Sequence, residues 1–258
     1  MHSKFPWLWV WETVKFLVYT HNKVRDFYFK RFKKMENTNS LSYEEVNPLS
    51  KPSASIICLH GLGADGHDSA AMAKAVAIGT GVRFVFPHAP VRPITLNGGA
   101  PMRAWYDIHG LTFDSTEDEE GIRAAAKSLF ELVEKEIQRG VPAKRIVLAG
   151  FSQGGAMALY TALRYPHALA GVLALSTYLP LHRFLAEEAS PANKTTPIFM
   201  AHGDADEVVL PALGEFSYNC LKELAYPVQF NRYSSMGHSI SPEELRDIAQ
   251  WLQKHLQK

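Results

Sequence analysis

Gly150-Phe151-Ser152-Gln153-Gly154 sets a serine between two glycines, directly after an apolar run and directly before a small-residue helical stretch. A serine on such a strand-to-helix turn projects its hydroxyl from the end of a sheet. Side chains at the flanking glycine positions would collide with neighbouring backbone. The helix that follows aims its N-terminal N–H groups at the same point, which favours negative charge developing there. Five residues match by chance often enough. The weight comes from the flanking strand, the helix and the second glycine, Gly155. The chemistry implied is nucleophilic attack on an acyl carbon, and a hydroxyl needs a base for it.

In this kind of site the acid and then the histidine follow the serine along the chain. His202-Gly203-Asp204-Ala205-Asp206 and Gly237-His238-Ser239 each lie just past a strand-like run. Those are carboxyl ends of strands, where ligands collect in open α/β sheets. Spacing leaves Asp204 and Asp206 both open as the acid. His238 is the expected base, because His202 precedes the acid, and His167, His182 and His255 read as surface residues. An oxyanion needs two preorganised donors, and losing one side-chain donor of this type costs ~10²–10³ in rate. The expected pair is the N–H of Gln153 and, from His60-Gly61-Leu62-Gly63, that of Leu62. His60 itself reads as a tie for that loop, since a base there would duplicate His238. His60, Asp65, His67 and Asp68 cluster in sequence but lack a matched second cluster, so no metal is expected. Gly61-Leu62-Gly63 lacks the third glycine and the lysine of a phosphate loop, and no cofactor is expected.

Positioning these groups takes a sheet. Ser55–Leu59, Val82–Phe86, Arg145–Ala149, Leu169–Leu175, Pro197–Ala201 and Val228–Tyr233 read as strands, most of them continuous apolar runs suited to burial on both faces. Helical patterns alternate with them. One opens on Thr116 and Glu119 as a capping box, buries Ile122, Ala126, Leu129, Val133 and Ile137, and stops at Gly140 and Pro142. Gly154–Arg164 is a second, and Ser241-Pro242-Glu243-Glu244 opens the last. The alternation predicts one α/β domain over residues 35–258, with a mostly parallel central sheet and helices on both faces.

Composition narrows the function classes. The chain has 258 residues, 47% hydrophobic and 21% charged, as an ordinary globular protein does. A net charge of +1 gives no basic excess for nucleic acid. Cys58 and Cys220 read as two reduced, buried thiols of a cytoplasmic protein. Residues 1–34 differ from the rest. Phe5 to Tyr19 is aromatic and apolar but interrupted by Glu12 and Lys15, too charged and short for the ~20 apolar residues of a membrane span. A basic tract from Lys23 to Lys34 follows. Two readings stand: an interfacial segment giving peripheral membrane contact through residues 5–34, or Met35 as the true start with the preceding residues untranslated or disordered.

Taken in order, His60-Gly61-Leu62-Gly63-Ala64-Asp65-Gly66, Arg103-Ala104-Trp105-Tyr106-Asp107, Gly150 to Gly155, His202 to Asp206 and Gly237-His238-Ser239 resemble the phospholipase/carboxylesterase family. The resemblance runs from about Ser53 to the C-terminus. It implies an α/β-hydrolase fold without a large lid domain, and cofactor-free hydrolysis of carboxylic esters, lysophospholipids or thioesters of S-acylated proteins. It also implies Asp206 as the acid, and matches Leu62 and Gln153 to the family's oxyanion donors. Substrate contacts are expected at Leu96, Met102, Trp105 and Tyr178, with Trp105 as a pocket wall. Departures are Gly98 and Gly99 in the loop ahead of Trp105, Tyr178 where relatives often carry Trp, and Glu207 in place of a common proline. Two other readings are a membrane-anchored lipid hydrolase and a non-catalytic binding protein on the same fold. The latter predicts a lost triad member, and none is lost. A homodimer is compatible with the sequence, though no residue pattern requires one.

Overall fold

The computed structural model describes residues 41–76 and 81–256, so residues 1–34 lie outside it. In chain order the elements are β1 (Tyr43–Val46), β2 (Ala54–Leu59), α1 (Gly66–Val76), β3 (Val82–Pro87), β4 (Val91–Ile94) and β5 (Ala100–Arg103). Then come α2 (Glu119–Gln138), β6 (Ile146–Phe151), α3 (Gln153–Arg164), β7 (Gly171–Leu175) and β8 (Ile198–Gly203). The chain closes with α4 (Pro211–Glu223), β9 (Val228–Tyr233) and α5 (Pro242–Leu256). A seven-stranded sheet runs in the order β1-β3-β2-β6-β7-β8-β9. Every neighbouring pair is parallel except β1 with β3.

The apolar runs become buried strands because both faces are covered. Ile57, Leu59, Leu148, Val172, Ala174, Ile198 and Met200 point to one side, into a core shared with Leu129 and Val133 of α2 and Met157 to Leu163 of α3. The alternate residues Ile56, Cys58, Val147, Ala149, Leu173, Phe199 and Ala201 meet Val76 of α1 and Ile248, Trp251 and Leu252 of α5. Each such aliphatic side chain stabilises by about 1.5–3 kcal/mol when taken from water. This is the α/β-hydrolase architecture, and the chain carries no large lid among the described residues.

Some expectations are corrected. The long helix is capped by Asp118, which accepts from Gly121 N at 2.9 Å, and not by a Thr116–Glu119 box. Asp118 wins because its other oxygen also takes the N–H of Asp107 at 2.8 Å, so one carboxylate serves helix and loop. Cys220 is only half-buried on α4, although it and Cys58 are both free. The antiparallel pair β4–β5 and helix α4 were not among the elements read from the sequence.

Candidate active site

β6 ends at Phe151 and α3 begins at Gln153, leaving Ser152 alone to turn the chain at φ 54, ψ −125. For a residue with a side chain that conformation costs on the order of 1–3 kcal/mol, held here by its surroundings. Ser152 N donates to Leu175 O at 2.9 Å, and its carbonyl accepts from Thr177 Oγ1 at 2.7 Å. The tight start of α3 explains the glycine pattern. A Cβ on Gly154 would stand 2.2 Å from Leu59 O, so the turn closes against β2 only without one.

His238 lies in the loop between β9 and α5, and Asp206 in the loop after β8. His238 Nδ1 donates to Asp206 Oδ2 at 2.7 Å, with the Asp206 side chain fully buried and that of His238 17% exposed. The other oxygen, Oδ1, accepts from Val208 N and Val209 N, both at 2.9 Å. Asp204, the alternative acid, is exposed and spends its Oδ1 on Ser235 N at 2.6 Å. The two loops are joined through backbone: Asp204 N donates to Tyr233 O and Ala205 N to Met236 O, each at 3.0 Å. On the serine side, the Phe151 ring lies 4.7 Å from the His238 ring.

The loop after β2 is built by His60. Ala89 N donates to its Nε2 at 3.0 Å, so the ring proton sits on Nδ1 and is donated to Gly61 O at 2.7 Å. Burial holds His60 below the ordinary imidazole range. It is a neutral strut between the loops after β2 and β3, as the sequence suggested. Gly63 N is taken by Arg103 O at 2.8 Å and Ala64 N by Gly61 O at 3.3 Å. No acceptor is found among the described residues for the N–H of Leu62 or of Gln153, the latter at a helix start where intrahelical partners are lacking. The Gln153 side chain is fixed as well: its Oε1 accepts from Trp105 N at 2.9 Å and its Nε2 donates to Tyr106 O at 2.8 Å.

The expected substrate residues scatter. Trp105 is 1% exposed, and its indole N–H donates to His60 O at 2.9 Å, which makes it a brace beneath the loop. Leu96 is 47% exposed on the turn between β4 and β5. Met102 is half-buried and, like Leu62, packs against the core that holds Trp105. Tyr178 shares a hydrogen bond of 2.7 Å with Tyr106 and lines a cleft of about 60 Å³ with Leu111, Phe113 and Phe216. A larger cavity of about 330 Å³ opens between α1 and α5, walled by Gly61, Met72, Phe151, Leu175, Ile240 and Leu245. None of the four expected substrate residues lines it, and it reaches the serine turn through Gly150 and Phe151.

Of the sequence cluster expected not to bind metal, Asp65 turns its own loop by accepting from His67 N at 2.8 Å. The structure groups Glu44, His67 and His88 instead. Gly66 N donates to His88 Nδ1 at 3.1 Å, which leaves the neutral ring's proton on Nε2, 3.5 Å from Glu44 Oε1. His88 therefore meets Glu44 as a donor and not with a free lone pair.

A serine on the sharp turn of a doubly covered parallel sheet, with a buried Asp–His pair in the loops beside it, defines a serine hydrolase of the α/β-hydrolase class. Comparison with known proteins narrows the class. The phospholipase/carboxylesterase family pattern matches residues 42–256, and the chain belongs to that family. It is 44% identical over 223 residues to acyl-protein thioesterase 1 of Neurospora crassa, covering 83% of this chain and 91% of that one. It is 43% identical over 227 residues to acyl-protein thioesterase 1 of Mycosarcoma maydis, covering 81% and 95%. Among solved structures, acyl-protein thioesterase 2 of Zea mays superposes with a TM-score of 0.76 at 34% identity, over 83% of this chain and 99% of that one.

Proposed function

We propose that the chain hydrolyses carboxylic esters and thioesters, S-acylated proteins among them, with Ser152, His238 and Asp206 as a catalytic triad. The observation that carries the reading is the buried Asp206 carboxylate, satisfied on one oxygen by backbone and turned through the other onto His238 at 2.7 Å. In the proposed reaction Ser152 Oγ attacks the carbonyl carbon while His238 Nε2 takes its proton. The oxyanion rests on the N–H groups of Leu62 and Gln153. Collapse breaks the bond to the leaving oxygen or sulfur, which receives the proton from His238, and leaves acyl-Ser152. Water then adds through the same base, the acid departs, and Ser152 regains its proton. Asp206 fixes the Nδ1–H tautomer of His238 and stabilises the imidazolium. The thioester assignment is supported by the names of the curated relatives, acyl-protein thioesterases. Two free cysteines favour a reducing compartment, the cytoplasm.

The test is hydrolysis of p-nitrophenyl esters from acetate to palmitate and of an S-palmitoyl peptide, wild type beside Ser152→Ala. The variant is expected to lose at least ~10⁴-fold in kcat. Folded wild-type protein inert on every substrate, or a variant as active as wild type, sinks the reading.

A further inference from the structure

His202 is set aside as a base by chain order, yet it is 1% exposed at the end of β8 and faces the acid. Its Nε2 stands 2.8 Å from Val209 O and 3.3 Å from Asp206 Oδ2. A carbonyl only accepts, so the ring proton is on Nε2 and is donated to Val209 O, with the carboxylate oxygen beside the same nitrogen. Nδ1 is then a bare lone pair with no partner among the described residues. Helix α4 closes over it, and a Cβ at Gly214 would stand 2.4 Å from that nitrogen. Burial holds the ring below the ordinary imidazole range, against the Val209 carbonyl and the Asp206 charge. His202 is thus a clamped, neutral ring whose one N–H goes to Val209 O at the back of the Asp206 carboxylate.

Asp206 Oδ2 therefore accepts the N–H of His238 in front and has the His202 Nε2–H dipole 3.3 Å away behind, while the same N–H donates to the carbonyl of Val209, whose own N–H holds Asp206 Oδ1. We infer that His202 is a positioning residue of the site: it fixes the carboxylate plane from behind and draws charge from the oxygen that serves His238. This rests on the triad reading above. The charged and titratable groups facing His202 are Asp206 on the following loop, His238 on the loop after β9, and Arg232 on β9; Asp206 is the one in contact. Removing the N–H leaves more charge on Oδ2 for the His238 imidazolium and frees the carboxylate to turn. The first effect moves the acid limb of activity to higher pH. The second lowers the rate.

The experiment measures kcat/KM for p-nitrophenyl butyrate from pH 5 to 9, per active site titrated with a fluorophosphonate where Ser152 is present and per mole of folded protein for Ser152→Ala. Wild type, His202→Leu, His202→Gln and Ser152→Ala are compared. His202→Leu is expected to lose about tenfold per site, as for a buried polar partner removed and the Val209 carbonyl left unpaired beside a charged group, and to move the acid limb up by roughly half a pH unit or more. His202→Gln, whose amide N–H reaches the Nε2 position, returns the limb towards wild type. A purely structural role lowers the titrated fraction and leaves the limb in place. An unmoved limb with a per-site rate like wild type in His202→Leu overturns the inference. Should that variant fail to fold, Gly214→Ala presses on Nδ1 and is expected to move the limb the same way; an unmoved limb there overturns it equally. Activity surviving in Ser152→Ala refutes the triad reading itself, whereas a dead Ser152→Ala beside an unmoved His202→Leu refutes only the role of His202.

Discussion

Glu244 has no exposed surface in the first turn of α5, three residues past Ser241, whose Oγ accepts its N–H at 3.1 Å. Neither carboxyl oxygen finds a hydrogen-bond partner of good geometry among the described residues. Burial pushes its pKa up from 4.5 to about 8, offset in part by the Ser241 backbone and reinforced by the charge of Asp247. Folded protein thus holds a proton here that unfolded chain releases. The sign follows: stability from this group is full below pH 4.5 and is lost as pH rises through about 8. Glu244→Gln should match wild type in thermal unfolding at pH 4.5. At pH 9 it should be the more stable of the two, by an amount on the order of a few kcal/mol. Equal melting temperatures at pH 9 would show that the carboxylate finds solvent when ionised.

At the level of elements, legibility followed burial. β2, β6 and β8 were readable because strands covered on both faces are nearly all apolar, Ser55 and His202 apart. The β4–β5 pair was not, since Pro93 faces Pro101 in its register and prolines argue against strands. α4 escaped because its buried positions are Leu213, Gly214, Ser217 and Leu221, two of them not apolar, so the helical period is faint. In the proposed triad, Ser152 and His238 are singled out by chain order and Asp206 by the family resemblance, and the structure pairs Asp206 with His238 at 2.7 Å. His202 was not legible, because its part depends on a through-space approach that no spacing records. The cap of α2 tests how far such local rules reach. Asp118→Ala strips acceptors from Gly121 N and Asp107 N together. Calorimetry should show a loss of about 2 kcal/mol, roughly 4–8 °C in melting temperature. Thr116→Ala, at an exposed position, should stay within about 0.5 kcal/mol. The reverse order of these two variants would restore the capping box that the sequence suggested.

Over the whole molecule, charge is divided unevenly along the chain. Residues 1–34 carry eight Lys and Arg against Glu12 and Asp26, a net +6, so with the full chain at +1 the remainder is net −5. Every residue of the proposed mechanism lies in the remainder, between Leu62 and His238. The basic tract, preceded by Trp7, Trp9 and Trp11, has the composition that binds anionic lipid surfaces. Near such a surface each Lys or Arg contributes about 1 kcal/mol. S-acylated proteins sit on membranes, so an interfacial segment would raise the concentration of enzyme beside its proposed substrate without touching the chemistry. A chain lacking residues 1–34 should therefore keep its kcat/KM on soluble p-nitrophenyl esters and lose sedimentation with phosphatidylserine vesicles. Full-length binding should weaken steeply in 0.5 M salt, where charge attraction is screened within about 4 Å. Vesicle binding that survives the deletion would move the lipid contact to the hydrolase body, and lost ester hydrolysis would mean that the segment supports the catalytic fold.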